Sequence, residues 1–168
     1  MQYYVAICKE YGIEITKNSE VTDHMEIAIV GVGAEVLCHA AAVNARALHA
    51  PTDAAGRFWD LLALTRSAVS VPLPDALFAR TLLVPGDSDP LRIGSIRAMQ
   101  VVGCGFSPRD TLTLSGVTGA GRLLCLQRGV LTLCGTLLEP QEFPLGAAFA
   151  TLEPEHALLA AGVRLLAQ

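Results

Sequence analysis

Cys104 is the side chain best suited by type to nucleophilic chemistry, because it stands between two glycines in the segment Gly103-Cys-Gly105. A cysteine attacks as a thiolate, and a neighbouring base or a helix N-terminus must lower its pKa to make one. No histidine lies within thirty residues of Cys104 on either side. We therefore assign no catalytic residue from this motif.

The spacing of the remaining cysteines and histidines does not predict a metal site. His39 and His49 lie ten residues apart, which is almost three turns of a helix and too far to form one metal-binding face, although Cys38 and Glu35 are close to the first of them. His156 stands at a predicted helix start, where we expect it on the surface. An odd number of cysteines without C-x-x-C spacing predicts reduced thiols. They are Cys8, Cys38, Cys104, Cys125 and Cys134.

Gly31 and Gly33 form the beginning of a dinucleotide-binding fingerprint, since they follow an apolar strand-like run. The fingerprint requires a third small residue at position 36, and Val36 stands there. Asp53 has the spacing of an acid that would bind a ribose, but it lies where a helix cap is expected. The pattern favours a tight turn, with nucleotide binding as the alternative.

The composition disfavours two classes of partner. The 168 residues carry a net charge of −4, so there is no basic excess to attract nucleic acid or an anionic membrane. Hydrophobic residues make up 52% and charged residues 17%, but no apolar run reaches the roughly 18 to 20 residues of a membrane span. We expect a cytoplasmic protein, without a membrane span, whose excess apolar surface is buried or covered by a partner.

The composition changes near residue 25. All three tyrosines and both lysines lie in the first 17 residues, and the first leucine is Leu37. We therefore expect two parts: an N-terminal segment at 1–25, of separate origin as an extension or a fusion, and a single α/β domain at 26–168.

Periodicity and chain breakers predict the elements that position these residues. A β-branched run ended by glycine predicts a buried strand from Ile27 to Val32. Apolar residues at helical spacing predict helices at 34–50, 57–66 and 153–167, the last with Pro154 in its first turn. The remaining predictions are strands at 78–84 and 111–114, strand or helix at 93–102, a loop at 103–108, and a hairpin of 123–126 with 130–133.

Two blocks of this sequence are typical of one known family. The first comprises Ile27-Ala-Ile-Val-Gly-Val-Gly33, Phe58-Trp-Asp-Leu-Leu62 and Arg66-Ser-Ala-Val-Ser-Val-Pro72. The second runs from Gly135-Thr-Leu-Leu138 to Phe143 and then from Phe149 to Leu159. They resemble the I-A-I-V-G-x-G strand, the F-W-x-x-L helix and the M-D-P-Q-x-R-L-L-L helix of β-ketoacyl synthase domains, which condense acyl units in fatty-acid and polyketide synthesis. The insertion at 34–49 and the segment at 79–130 have no counterpart in that pattern.

The resemblance implies an α/β fold, a layered sheet with packed helices that forms part of a thiolase-like architecture. The alternative is an α+β fold with an antiparallel C-terminal sheet. In the family pattern, Phe58 and Trp59 would pin the first helix across the buried first strand. The structural anchors that the resemblance implies are Gly31, Gly33, Phe58, Trp59 and Pro154. The family's nucleophilic cysteine and its two histidines have no counterpart, so no catalytic, cofactor-binding or metal-binding residue is transferred.

The function that this resemblance implies is a non-catalytic ketosynthase-like module that associates with a partner subunit. The partner would be another protein, a second copy of the chain or an acyl carrier protein. Any activity would be that of a condensing acyltransferase. Two alternatives are a small acidic chaperone-type protein that binds peptides by edge-strand addition, and a small nucleotide-binding α/β protein.

Overall fold

Short apolar runs form strands of one mixed sheet, and those at 27–30, 58–64 and 78–85 are largely buried on both faces. The computed structural model describes residues 25–32, 36, 40, 44–118 and 121–168. Nearly all of the N-terminal segment at 1–25, together with Gly33, Glu35, Cys38 and His39, lies outside the described residues. The parallel strands are β1 (Ile27–Val30), β2 (Arg46–Leu48), β3 (Phe58–Leu64), β4 (Phe78–Pro85), β5 (Arg97–Gly105) and β6 (Leu112–Thr118).

The C-terminal part of the sheet is antiparallel. Strand β7 (Gly121–Leu126) pairs with β6, β8 (Val130–Leu131) and β9 (Leu137–Leu138) form a separate pair, and β10 (Gln141–Pro144) pairs with β7. The order across the large sheet is β10-β7-β6-β5-β4-β3-β1-β2. The predicted α/β fold with a layered sheet is confirmed, and its antiparallel C-terminal part matches the alternative as well.

The α-helices that pack beside the sheet differ in length. The longest is α3 (Pro154–Leu166), which follows the short helices α1 (Arg66–Ser70) and α2 (Pro90–Ile93). A Cβ added at Gly162 would lie 3.0 Å from a methyl group of Leu112 and 3.1 Å from one of Leu83, so α3 packs closely over the centre of the sheet. The short helices Pro51–Ala54 and Ala147–Thr151 are 3-10 helices. No helix in the described part of the chain is long and apolar enough to cross a membrane.

Several predicted elements are confirmed. The first strand is fully buried and lies between β2 and β3, which makes it an interior strand. The strands at 78–84 and 111–114 are present, and 93–102 is resolved as a strand that begins at Arg97. The last helix begins at Pro154, where the proline's missing N–H leaves no hydrogen bond unmade.

The predicted helix at 57–66 is wrong, because Phe58–Leu64 is strand β3. Its leucines and alanine have good helix propensity, and a short continuous apolar run does not distinguish a buried strand from a buried helix. The predicted helix at 34–50 is also wrong at its end, where Arg46–Leu48 forms β2. Burial on both faces of the sheet decided the first segment, whereas Arg46–Leu48 is largely exposed and pairs with β1 as the edge strand.

The predicted hairpin of 123–126 with 130–133 is wrong as well. Leu126 is paired with Leu112 and with Gln141, while Val130 is paired with Leu138. The backbone N–H of Gln127 donates to the carbonyl of Thr111 at 2.8 Å, so the chain continues beside β6 instead of turning back. The predicted loop at 103–108 begins later than expected, since β5 extends to Gly105.

Phe58 and Trp59 have opposite environments. Trp59 is fully buried, and its indole N–H donates to the carbonyl oxygen of Ala54 at 2.9 Å, whereas Phe58 is 55% exposed. Adjacent residues of a strand point to opposite faces. The expectation that both pin a helix across the first strand is wrong, because β3 lies beside β1 in the sheet, with Ile27 paired to Leu61.

Candidate functional site

A cleft of about 490 Å³ lies at the carboxyl ends of β3, β4 and β5, against the first turns of α3. Ligands of open α/β sheets bind outside the carboxyl ends of the strands, because the connecting loops diverge there. Three loops contribute to the cleft: Thr65–Ser67 after β3, Gly86 and Asp87 after β4, and Phe106–Asp110 after β5. This cleft is therefore the candidate site.

Thr65 fixes the wall that follows β3. Its hydroxyl donates to the carbonyl of Val30 at 2.9 Å and accepts from the N–H of Ala68 at 3.2 Å, which caps α1. Gly31 has a φ of 81°, and a Cβ at that position would lie 2.4 Å from the Thr65 hydroxyl oxygen. Glycine at 31 is thus required both by its backbone conformation and by the close approach of the β3 loop.

The guanidinium of Arg66, at the start of α1, links the loop after β4 to the first turn of α3. Its Nη1 lies 2.6 Å from Oδ2 of Asp87, and its Nη2 lies 3.1 Å from Oε1 of Glu155. The hydrogen bond from Arg66 lowers the pKa of the Asp87 carboxyl, and the two carboxylates raise the pKa of Arg66. The arginine side chain is 52% exposed, so water screens these pairs and they add little to stability.

Asp110 is the buried acid of the cleft, with 5% of its surface exposed. Its Oδ2 accepts the backbone N–H of Ser107 at 2.8 Å. A Cβ at Gly86 would lie 1.6 Å from Oδ1 of Asp110, and one at Gly105 would lie 2.4 Å from Oδ2. The carboxylate therefore occupies a notch that exists because the ends of β4 and β5 carry glycines.

Cys104 lines the same cleft with its thiol buried. Burial raises the pKa of the Cys104 thiol to about 12, and the negative charges of Asp110 and Glu155 act in the same direction. A thiol with such a pKa stays protonated near neutral pH and is a poor nucleophile. The burial of this thiol therefore disfavours nucleophilic attack by its sulfur.

Part of the cleft lining, formed by α3 and Phe106, is apolar. Leu158 and Leu159 are buried on α3, Phe106 is 55% exposed at the end of β5, and His156 is half-buried. The sequence predicted a surface position for His156, and the structure places it, partly exposed, at the lining of the cleft in the first turn of α3. The cleft thus combines an apolar wall with a group of charged side chains.

The remaining candidates from the sequence lie elsewhere. The carboxylate of Asp53 accepts the N–H of Ala50 at 2.9 Å within the 3-10 helix Pro51–Ala54. The helix that Asp53 was expected to cap is absent, because Phe58–Leu64 is a strand. Gly31 contacts the β3 loop but does not line the cleft itself. In the described ranges no group of three or more His, Cys, Asp or Glu side chains is arranged to hold a metal ion.

The sequence reasoning missed Arg66, Asp87, Asp110 and Glu155 as a group. Their signal was the position of polar residues directly after apolar strands, as in Arg66 after β3 and Asp87 after β4. That signal depends on reading 58–64 as a strand, and the helix prediction concealed it. Comparison with known proteins adds no further assignment: no protein-family model, curated protein or solved structure matches this chain.

Proposed function

We propose that this protein binds a small organic molecule in the cleft at the carboxyl ends of β3, β4 and β5. The observation that carries the proposal is the cleft itself, whose volume of about 490 Å³ falls within the usual range of about 300 to 1,000 Å³ for ligand pockets. Its combination of an apolar wall with a few convergent polar groups is typical of such sites.

The cluster of Arg66, Asp87 and Glu155 supports the proposal, because its ion pairs contribute little to the stability of the fold. Arg66 pairs with Asp87 and Glu155, which lie 21 and 89 positions after it in the chain. Exposed ion pairs of this kind contribute about 0 to 1 kcal/mol. Their value for a binding site is different: they hold α1, the loop after β4 and the first turn of α3 in one arrangement before a ligand arrives, which lowers the cost of binding.

Filling the cleft is expected to abolish small-molecule binding. Ser67 is exposed on α1 and lines the cleft, whereas Ser70 is exposed on the same helix and does not. A fragment library would be screened by protein-detected NMR against the wild type, Ser67→Trp and Ser70→Trp. We expect hits that shift the resonances of Thr65–Ser67 and Phe106–Asp110, that persist in Ser70→Trp, and that weaken by about tenfold or more in Ser67→Trp.

Thermal melting of both variants would establish that they fold. Hits that shift resonances far from the cleft, or that bind Ser67→Trp as well as the wild type, would refute the proposed site. A screen that yields no hit on the wild type would do the same.

A second candidate function is the associating module that the sequence resemblance implies. It is favoured by two apolar side chains of β5: Met99 is 82% exposed and Val101 is 53% exposed. They are two residues apart on one strand, so they project from the same face of the sheet. An exposed apolar pair of this kind suits contact with a partner subunit or with a second copy.

Light scattering over a range of concentrations tests this second candidate. If the β5 face mediates self-association, the wild type should exceed the mass of one chain, and the double substitution Met99→Lys and Val101→Lys should return it to a monomer. Glu153 is exposed at the start of α3, and α3 packs with Val102 on the opposite face of the sheet. Glu153→Gln therefore offers a control that should leave the mass unchanged. A wild type that is monomeric at every concentration would rule out self-association through this face.

A further inference from the structure

The carboxylates of the cleft outnumber its cations. Asp87, Asp110 and Glu155 line it together with Arg66 and Arg109. Arg66 is shared by Asp87 and Glu155, so those three residues together carry a net charge of −1. Arg109, Asp87 and Glu155 are all exposed, so water and salt screen their charges. Among the described residues that line the cleft, Asp110 carries the one charge that is almost completely buried.

Asp110 is the acid for which the protein supplies no counter-charge. It is almost completely buried, yet within the residues that the structure describes it forms no ion pair with any arginine, lysine or histidine. Its observed hydrogen bond comes from the backbone N–H of Ser107. Buried carboxylates are normally paired with a cation, because the transfer of an unpaired charge from water into the protein interior costs free energy. The cleft thus presents a largely buried carboxylate that is available to pair with a cation from outside the chain.

The environment of Cys104 shows the sign of the field at the base of the cleft. After burial, the contributions that raise the pKa of its thiol are the negative charges of Asp110 and Glu155, whereas the opposing effect of Arg66 is the smallest. At this sulfur, therefore, each of the two carboxylates has a larger effect than the arginine.

The apolar wall indicates what kind of cation fits. Phe106 is 55% exposed at the cleft, and an aromatic face attracts cations in addition to apolar groups. Leu158 and Leu159 provide apolar surface nearby. The acidic side chains are not grouped closely enough to hold a metal ion in the described part of the chain, which favours an extended organic cation over an inorganic one.

We infer that the cleft takes a small organic cation, an amine in its ammonium form attached to an apolar or aromatic body. This inference rests on the proposed function and adds the ligand class. The ammonium group would donate hydrogen bonds to Asp110 and Glu155, while the apolar body lies against Phe106 and Leu158.

Three probes of similar size and different charge test the ligand class: 2-phenylethylammonium, 2-phenylethanol and phenylacetate. Binding to the full chain would be measured by NMR titration. Hydrogen bonds to charged groups are worth more than neutral ones, so we expect the ammonium probe to bind at least about tenfold more tightly than either of the others. The resonances that move should belong to Phe106–Asp110 and Glu155.

A matched pair of variants removes the charge without filling the cleft. Glu155 lines the cleft, whereas Glu153 lies two residues earlier, is also exposed and does not line it. Glu155→Gln should weaken the ammonium probe up to about fivefold, as expected for a half-exposed ion pair, and leave 2-phenylethanol unchanged. Glu153→Gln should leave both unchanged.

The outcomes separate the ligand class from the site. Equal affinity for the three probes, or tighter binding of phenylacetate, would overturn the cationic class while the cleft remains a binding site. If the ammonium probe does not bind up to ~10 mM but fragments do bind in the cleft, the cationic class is likewise overturned while the binding site remains. If neither the ammonium probe nor any fragment binds in the cleft, the proposed site is overturned as well.

Discussion

Replacing Trp59 by alanine is expected to lower the free energy of unfolding by about 3 to 5 kcal/mol, the range measured for large aromatic residues removed from cores. The side chain is fully buried, and it belongs to a cluster of buried apolar residues that includes Ala54, Leu77 and Ile96. Its indole N–H is bonded to the carbonyl of Ala54, and the Arg57 guanidinium lies 4.9 Å from the ring centroid. Urea unfolding followed by circular dichroism measures the loss.

Phe58 provides the matched control for Trp59. It is the adjacent residue of β3 but is 55% exposed, so Phe58→Ala should change the stability by no more than about 0.5 kcal/mol. Trp59→Phe should fall between the two, because it keeps most of the apolar volume but loses the donor to Ala54. Equal losses for Phe58→Ala and Trp59→Ala would contradict the strand geometry and would favour the helix that the sequence predicts.

Gly86→Ala is the second substitution with a large expected effect, a loss of about 3 kcal/mol. The new Cβ would lie 1.6 Å from Oδ1 of Asp110, which no rotation of the methyl group relieves. The buried carboxylate would have to leave its notch and break its bond to Ser107. The free energy of unfolding from urea titration gives the size of the effect, and NMR titration with 2-phenylethylammonium should show weaker binding.

Gly146 and a double mutant serve as controls for Gly86. No atom lies within 4 Å of a Cβ added at Gly146, which has a φ of −61°, so Gly146→Ala should be close to neutral. In the double mutant with Asp110→Ala, the clash disappears, and the combined loss should be clearly smaller than the sum of the single losses. Additive losses would mean that the notch between Gly86 and Asp110 is not the cause.

The elements that the sequence predicts correctly are those with signals complete within a short window. Pro154 fixes the start of α3, because it fits only the first turn of a helix, and the apolar stripe that follows it extends over several turns. The run that begins at Ile27 is β-branched and ends at a glycine with positive φ, so its strand character is local as well. The α/β class follows from such segments.

The cleft itself could not be predicted in that way. The arrangement of Arg66 beside Glu155 joins residues 89 positions apart, and Asp110 reaches its notch because Gly86 and Gly105 lie at the ends of two parallel strands. Strand β3 was the decisive element: its leucines suit a helix locally, but burial on both faces of the sheet makes it a strand and places Arg66 at the same edge as Asp87. The sequence by itself determined the segments that fold, and the tertiary structure decided which of their ends meet, because strand pairing depends on packing between distant segments and not on local propensity.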